Sequence, residues 1–245
     1  MGDVLAIELD FSVVWANFDV LLRAAGRSLY IAAIAMVVSV FLALFVAIAR
    51  LSGVRPLQWL AYAFTQFFRG IALYVLVVWV LYGLALTGIV SLTAFSAGVA
   101  ALVLLNAGYL SETFRGSILA VDTGQREAAL AVGLSRPQAF RSVVLPQAVR
   151  VALPATGNQF VDIIKDSAIL AVVAVPELMY ETNRLSQQYF RPFEFFTVTM
   201  GMYLVAVFVL SFLFGRLERR LRRSERGPAA RGPRLLDVLK PGVTR

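Results

Sequence analysis

The 245-residue chain has no cysteine and no histidine, and only 16% of its residues are charged. These absences exclude disulfides, thiol catalysis, Cys/His zinc sites and acid–base chemistry by histidine. Soluble domains contain about 25% charged residues, whereas 59% of this chain is hydrophobic. The composition therefore predicts an all-α integral membrane protein, because an open sheet cannot cross lipid and the strict alternation of barrel strands is missing.

Long stretches without charge predict five transmembrane helices. Residues 28–49 form one uncharged run, which is about the length of a single span. Residues 70–111 are too many for one helix, and Thr87-Gly88 divides them into two. The predicted spans are 28–49, 70–86, 94–113, 153–175 and 195–214. Together with their loops they form one transmembrane domain over 1–223.

Basic residues are concentrated on one side of this predicted bundle. The loops at 50–57 and 115–150 are basic, and ten of the 23 Lys and Arg residues lie between Arg216 and Arg245. Because cytoplasmic loops carry the excess of Lys and Arg, the pattern predicts an N-terminus outside and a cytoplasmic C-terminus. The distribution of the net charge of +8 thus predicts contact with the lipid bilayer and not with nucleic acid. The basic, Pro- and Gly-containing tail at 224–245 is predicted to be disordered.

The stretch EAALAVGLSRPQAFRSVVLP at 127–146 is charged and cannot lie in lipid. Asp122 or Thr123 is predicted to cap a first short helix, and Gly133 to end it in a left-handed turn. Ser135 and Gln138 stand in capping-box spacing and begin a second helix. These features predict a cytoplasmic helix–turn–helix over about 122–146, and on local features alone it could be a well-capped connector.

The full spacing of this stretch resembles a known motif. Glu127-Ala128-Ala129, three residues, Gly133, nine residues, Val143, one residue and Leu145-Pro146 match the EAA loop, E-A-A-x3-G-x9-I-x-L-P, with Val in place of Ile. That loop is found in permease subunits of ATP-binding-cassette (ABC) importers.

Other blocks resemble the polar amino acid permeases (His/Gln/Glu/Arg/opine type) within the same class. They are Arg69-Gly70 through Gly83-Leu84, Ala107 to Glu112 followed by Arg115-Gly116, Gly157 to Phe160, and Lys165-Asp166-Ser167. In the first block, Ile71-Ala72 replaces the Thr-Pro of the family pattern.

The resemblance implies a permease that moves a polar amino acid or similar zwitterion through the bacterial cytoplasmic membrane. Its coupling residues would be Glu127, Ala128, Ala129, Gly133, Leu145 and Pro146. The implied partners are a cytoplasmic ATPase dimer, a second permease subunit (identical or homologous) and an extracytoplasmic solute-binding protein. The chain has no G-x-x-x-x-G-K-[ST] phosphate loop. It is therefore expected to be a transport subunit and not an enzyme. We expect no cofactor in this chain, because ATP and Mg²⁺ would bind the partner ATPase.

The predicted fourth span contains polar and charged residues, namely Asn158, Gln159, Asp162, Lys165 and Asp166. Each intramembrane charge costs at least about 2.5 kcal/mol on insertion scales, so such charges normally face a bundle interior or a water-filled cavity. Positions 159, 162 and 166 share one helical face, which predicts a substrate pathway. The residues equally allow an internal Asp162–Lys165 pair that only packs a dimer.

Two other functions remain compatible with the charged span. An ion-coupled secondary carrier could use Asp162, Lys165 and Asp166 as a relay, although no internal repeat is visible. An intramembrane enzyme would need a catalytic His, Cys or Ser/Lys arrangement. The sequence offers no such arrangement, so the permease prediction leads.

Overall fold

The computed structural model describes residues 9–88 and 90–223, and every regular element in these ranges is helical. In chain order the helices are α1 (Ser12–Ala16), α2 (Phe18–Leu51), α3 (Arg55–Gly70), α4 (Leu73–Val78), α5 (Leu84–Leu86), α6 (Ala94–Leu119), α7 (Thr123–Ala131), α8 (Arg136–Ala139), α9 (Leu145–Asp166), α10 (Leu178–Tyr189) and α11 (Pro192–Arg223). Two π-helical turns, Trp79–Gly83 and Phe140–Val144, and a 3-10 segment, Ser167–Val173, link some of them. The tail at 224–245, predicted to be disordered, lies outside the described residues.

Three of the described helices are long and apolar enough to cross a membrane: α2, α6 and the Pro192–Arg220 part of α11. Helix α3 and the segment Leu73–Leu86 pass the same test only as a pair, which is bent by 108°. At 1.5 Å per residue, the 34 residues of α2 extend about 51 Å, beyond a hydrocarbon core of about 30 Å. The protein is therefore a helical membrane protein whose described residues include three such spans, or four if the bent pair is one span.

The predicted span at 153–175 has different limits in the structure. Helix α9 begins earlier, at Leu145, and the chain continues in 3-10 geometry to Val173, where Ala174 adopts a left-handed φ of 59°. Pro154 lies inside α9 and does not mark its start. The three charges at 162, 165 and 166 lower the hydropathy of α9, so length and composition do not single it out as a span.

Helix α6 lies in the middle of the bundle and packs against α2, α3 and α9. Small side chains allow the close approach to α2, where Ala43 and Ala107 are both buried, as is common between membrane helices. The Ser39 hydroxyl donates to the Val103 carbonyl at 3.3 Å, and the Arg50 guanidinium pairs with Glu112. Because residue numbers rise together along both helices, α2 and α6 run parallel.

Helix α10 covers the end of the bundle where α2 begins. Its N-cap residue, Glu177, is fully buried and accepts a hydrogen bond from the Tyr180 amide at 2.8 Å. The same carboxylate accepts from the Ser28 hydroxyl of α2 at 3.1 Å and from the Tyr203 hydroxyl of α11 at 3.0 Å. Thr182 and Thr199 add a further hydroxyl contact of 2.6 Å between α10 and α11. Buried polar contacts therefore fix α10 to both helices.

Candidate functional site

The loop that resembles the EAA motif begins with α7. The Asp122 carboxylate caps this helix by accepting from the Gly124 amide at 2.7 Å, as the sequence predicts. Gly133 follows α7 with φ at 90°, which confirms the predicted left-handed turn, a conformation that costs glycine little. The Ser135 amide and hydroxyl then donate to the Gln138 side-chain oxygen at 2.9 and 2.8 Å, which starts α8.

The second half of the loop is continuous with the membrane helix. After α8, the chain passes through the π-helical turn Phe140–Val144 directly into α9, without a break in helical geometry. Pro146 lies in the first turn of α9. Proline lacks a backbone N–H, and a π turn already interrupts the regular hydrogen-bond ladder, so the helix tolerates it there. One continuous helical segment thus joins the loop to α9, which extends to the middle of the bundle.

The predicted coupling residues differ in how exposed they are to solvent. Glu127, Ala128, Gly133, Leu145 and Pro146 are exposed and accessible to another protein. Ala129 is only 6% exposed, in a helix that packs on the π turn at 140–144. Its methyl group therefore packs within this subunit, where a larger side chain would push α7 away from that π turn.

Four of the five predicted pathway residues line one groove of about 620 Å³ beside α9. They are Gln159, Asp162, Lys165 and Asp166, and the opposite walls are formed by Ile71, Leu73, Leu105 and Tyr109. Asn158 is exposed and does not line this groove. The sequence grouped it with the others because positions 158, 162 and 165 share one helical face, but its side chain does not line the groove.

Two of the groove charges neutralise each other. The Lys165 ammonium lies 2.7 Å from the Asp162 carboxylate, and both side chains remain about half exposed, at 54% and 49%. This contact is the internal pair that the sequence allowed. The Asp166 carboxylate makes no direct hydrogen bond or ion pair with any residue in the described ranges, and Lys165 acts on it only over a longer distance. The groove therefore presents a paired cation and one carboxylate that is in direct contact with no cation of the described residues.

A buried asparagine on α6 holds the groove wall and was missed by sequence reasoning. The Gln159 amide donates to the Asn106 side-chain oxygen at 2.7 Å, and the Asn106 amide donates to the Leu102 carbonyl at 2.7 Å. Asn106 is fully buried and lies near the middle of α6. A single amide in an otherwise apolar span is the signal that could have found it. The contact also places the groove at about half the depth of α6.

Comparison with known proteins assigns the family. Residues 35–223 match the binding-protein-dependent transport system inner membrane component family. The chain is 34% identical to the probable glutamine ABC transporter permease protein GlnM of Bacillus subtilis (strain 168), over 88% of this chain and 100% of that protein. It is 33% identical to the arginine ABC transporter permease protein ArtQ of Escherichia coli (strain K12), over 87% of this chain and 99% of that protein.

A solved structure shows the same fold. The chain superposes on the crystal structure of an amino acid ABC transporter with histidines with a TM-score of 0.83 and 31% identity, covering 86% of this chain and 99% of that one. The matched family is a transport component and not an enzyme. The chain belongs to the inner membrane components of binding-protein-dependent transport systems and is a permease of the amino acid ABC importer type.

Proposed function

We propose that this chain forms half of the translocation pathway for a polar amino acid or a similar zwitterion. The observation that carries the proposal is the half-exposed groove on α9, which holds Asp162, Lys165 and Asp166 at about mid-depth in the bundle. Charges facing hydrocarbon would be costly, so this side of the chain needs a water-filled path and a protein cover. A second permease subunit, identical or homologous, supplies that cover.

The proposed topology has five spans with the N-terminus outside. The spans are α2, the bent pair of α3 with Leu73–Leu86, α6, α9 with its 3-10 extension, and α11. Helix α9 is included because Gln159 faces Asn106 and Leu170 faces Gly98, so α9 runs antiparallel to α6 over the same depth. The basic loops at 50–57 and 115–150 then lie in the cytoplasm, and α10 lies on the outer face.

The loop at 122–146 is the proposed coupling element. Glu127 and Ala128 are exposed and would contact the cytoplasmic ATPase dimer, which binds ATP and Mg²⁺. Helix α9 carries both the end of this loop and the groove residues, so movement of the ATPase reaches the pathway directly. An extracytoplasmic solute-binding protein would deliver the solute at the face covered by α10.

The test is solute uptake by the complete complex in proteoliposomes, normalised to assembled complex. Asp166→Asn keeps the shape of the side chain but removes its charge, so we expect normal assembly and uptake reduced by at least about tenfold. Asp19→Asn is the matched control, because Asp19 is an exposed carboxylate paired with Arg23 far from the groove. Normal uptake by a well-assembled Asp166→Asn complex would remove Asp166 from the pathway.

A further inference from the structure

The groove contains a carboxylate that is available to a cationic group of a solute, but its lysine is already paired with an aspartate. Lys165 lies against Asp162 at 2.7 Å, whereas Asp166 has no hydrogen-bond or ion-pair partner in the described ranges. A zwitterionic solute carries a carboxylate as well as an ammonium group. A second, unpaired cation close to the groove is therefore needed to match both ends of such a solute.

Arg69 is the cation that the fold places at this edge of the groove. It lies in the last turn of α3, next to the bend that leads to Leu73. Its guanidinium carbon lies 5.5 Å from the ring centroid of Tyr109, a residue of the groove wall, and the Tyr109 hydroxyl donates to the Arg69 carbonyl at 3.3 Å. Cation–π contact of this kind holds a guanidinium in place without neutralising its charge.

Gly108 explains how Arg69 approaches α6 so closely. A β-carbon at position 108 would lie 3.3 Å from the Arg69 γ-carbon, which is tighter than ordinary van der Waals contact. The aliphatic part of Arg69 therefore packs over a glycine, and its exposed guanidinium rests on the neighbouring tyrosine ring.

Arg50 shows what a structural arginine looks like in this bundle. It also lies over a tyrosine ring, that of Tyr62 at 5.3 Å, but it is paired with the Glu112 carboxylate. The Arg69 guanidinium has no carboxylate partner and no hydrogen-bond partner in residues 9–88 and 90–223. An arginine that is positioned but not neutralised is suited to bind an anionic ligand.

We infer that Arg69 binds the carboxylate of the transported solute while Asp166 binds its ammonium group. The inference rests on the proposed pathway and names its specificity determinant. A guanidinium can hold a carboxylate through two parallel N–H···O bonds, so the groove selects zwitterions over amines that lack a carboxylate. Lysine at position 69 would keep the charge but lose the bidentate geometry.

The experiment uses the complete complex of permease, ATPase and binding protein in proteoliposomes, with a mixture of the twenty ¹⁴C-labelled L-amino acids as probe. The variants are Arg69→Met, Arg69→Lys and Arg55→Met, the last being a control at the exposed opposite end of α3. Uptake and ATP hydrolysis stimulated by the liganded binding protein are measured on the same preparations. The second measurement reports assembly and coupling independently of the groove.

We expect Arg69→Met to lower uptake about 10- to 100-fold, as for a lost hydrogen-bonded charge pair, with stimulated ATP hydrolysis retained. Arg69→Lys should give an intermediate rate and Arg55→Met a normal one. Unchanged uptake in Arg69→Met, or a parallel loss of uptake and of stimulated hydrolysis, would overturn the assignment, since the latter indicates a structural role. Absence of amino acid uptake by the wild-type complex would instead refute the proposed function, and the inference with it.

Discussion

Glu177→Ala should loosen the helix that covers the outer end of the bundle. The Glu177 carboxylate caps α10 and also accepts from Ser28 of α2 and Tyr203 of α11. Alanine removes all of these contacts and leaves the rest of the sequence of α10 unchanged. The expected result is local opening of α10, while the packing of α2 against α6 persists.

The magnitude follows from the groups left behind. Loss of an N-cap costs about 1 kcal/mol, and a Tyr203 hydroxyl without an acceptor costs about 1–3 kcal/mol. The Ser28 hydroxyl keeps its contacts with the Ala24 carbonyl and the Leu178 amide, so it adds little. Burial disfavours the ionised carboxylate and raises the pKa of Glu177, so its removal offsets part of the loss. We expect a net cost of about 2 kcal/mol, which corresponds to an opening equilibrium about 30-fold larger.

Hydrogen exchange of the α10 amides, measured on the complex in lipid nanodiscs, reports this opening directly. Gln187→Ala is the matched control, because Gln187 is exposed on the same helix. An acceleration of less than about threefold in Glu177→Ala, or an equal acceleration in Gln187→Ala, would refute the proposed role of the Glu177 cap. Equal acceleration of the α6 and α10 amides would refute it as well, since α10 would then not open as a local unit.

Three further predictions concern protonation, the loop and the packing of α9. Because burial raises the pKa of Glu177, protonation of this carboxyl group stabilises the closed position of α10. This stabilisation is fully present below pH 4.5, the ordinary pKa of a glutamate, and is lost as the pH rises through the raised pKa. Exchange of α10, corrected for intrinsic rates, should therefore be slower at pH 5 than at pH 8 in the wild type and pH-independent in Glu177→Gln. Gly133→Val should uncouple ATP hydrolysis from binding-protein stimulation at normal membrane levels, because valine opposes a φ of 90°, whereas Gly133→Asn should retain most coupling. Gly157→Ala should destabilise the assembled complex by about 1–3 kcal/mol, because the alanine β-carbon would lie 2.9 Å from the Phe214 ring. Thermal unfolding measures this loss, and Gly201→Ala, where a β-carbon would meet no atom within 4 Å, should leave the stability unchanged.

Local patterns predicted the loop well. The Asp122 cap, the left-handed Gly133 and the Ser135–Gln138 contact depend on residues at most three positions apart, so the sequence contains the whole interaction. The Asp162–Lys165 pair is equally local, with one helical turn between its members. The buried position of Ala129 was not predictable, because it depends on how α7 packs against the later π turn at 140–144.

Long-range features of the site were less visible. The sequence predicted the groove face of α9 through Gln159, Asp162 and Asp166, whereas Asn158, which it grouped with them, does not line the groove. It gave no indication that Asn106 holds Gln159 or that Arg69 rests on Tyr109. These contacts join residues 40 or more positions apart, and they exist only once α3, α6 and α9 are packed together.

The sequence alone determined the membrane environment, the helical class and the family, because charge-free runs and the spacing of Glu127, Gly133 and Pro146 are properties of the chain itself. The tertiary structure decided the 108° bend after α3, the α10 cap and the pairing state of each groove charge. The physical reason is that composition determines which residues avoid water, whereas the partner of a polar group depends on which helix lies opposite it.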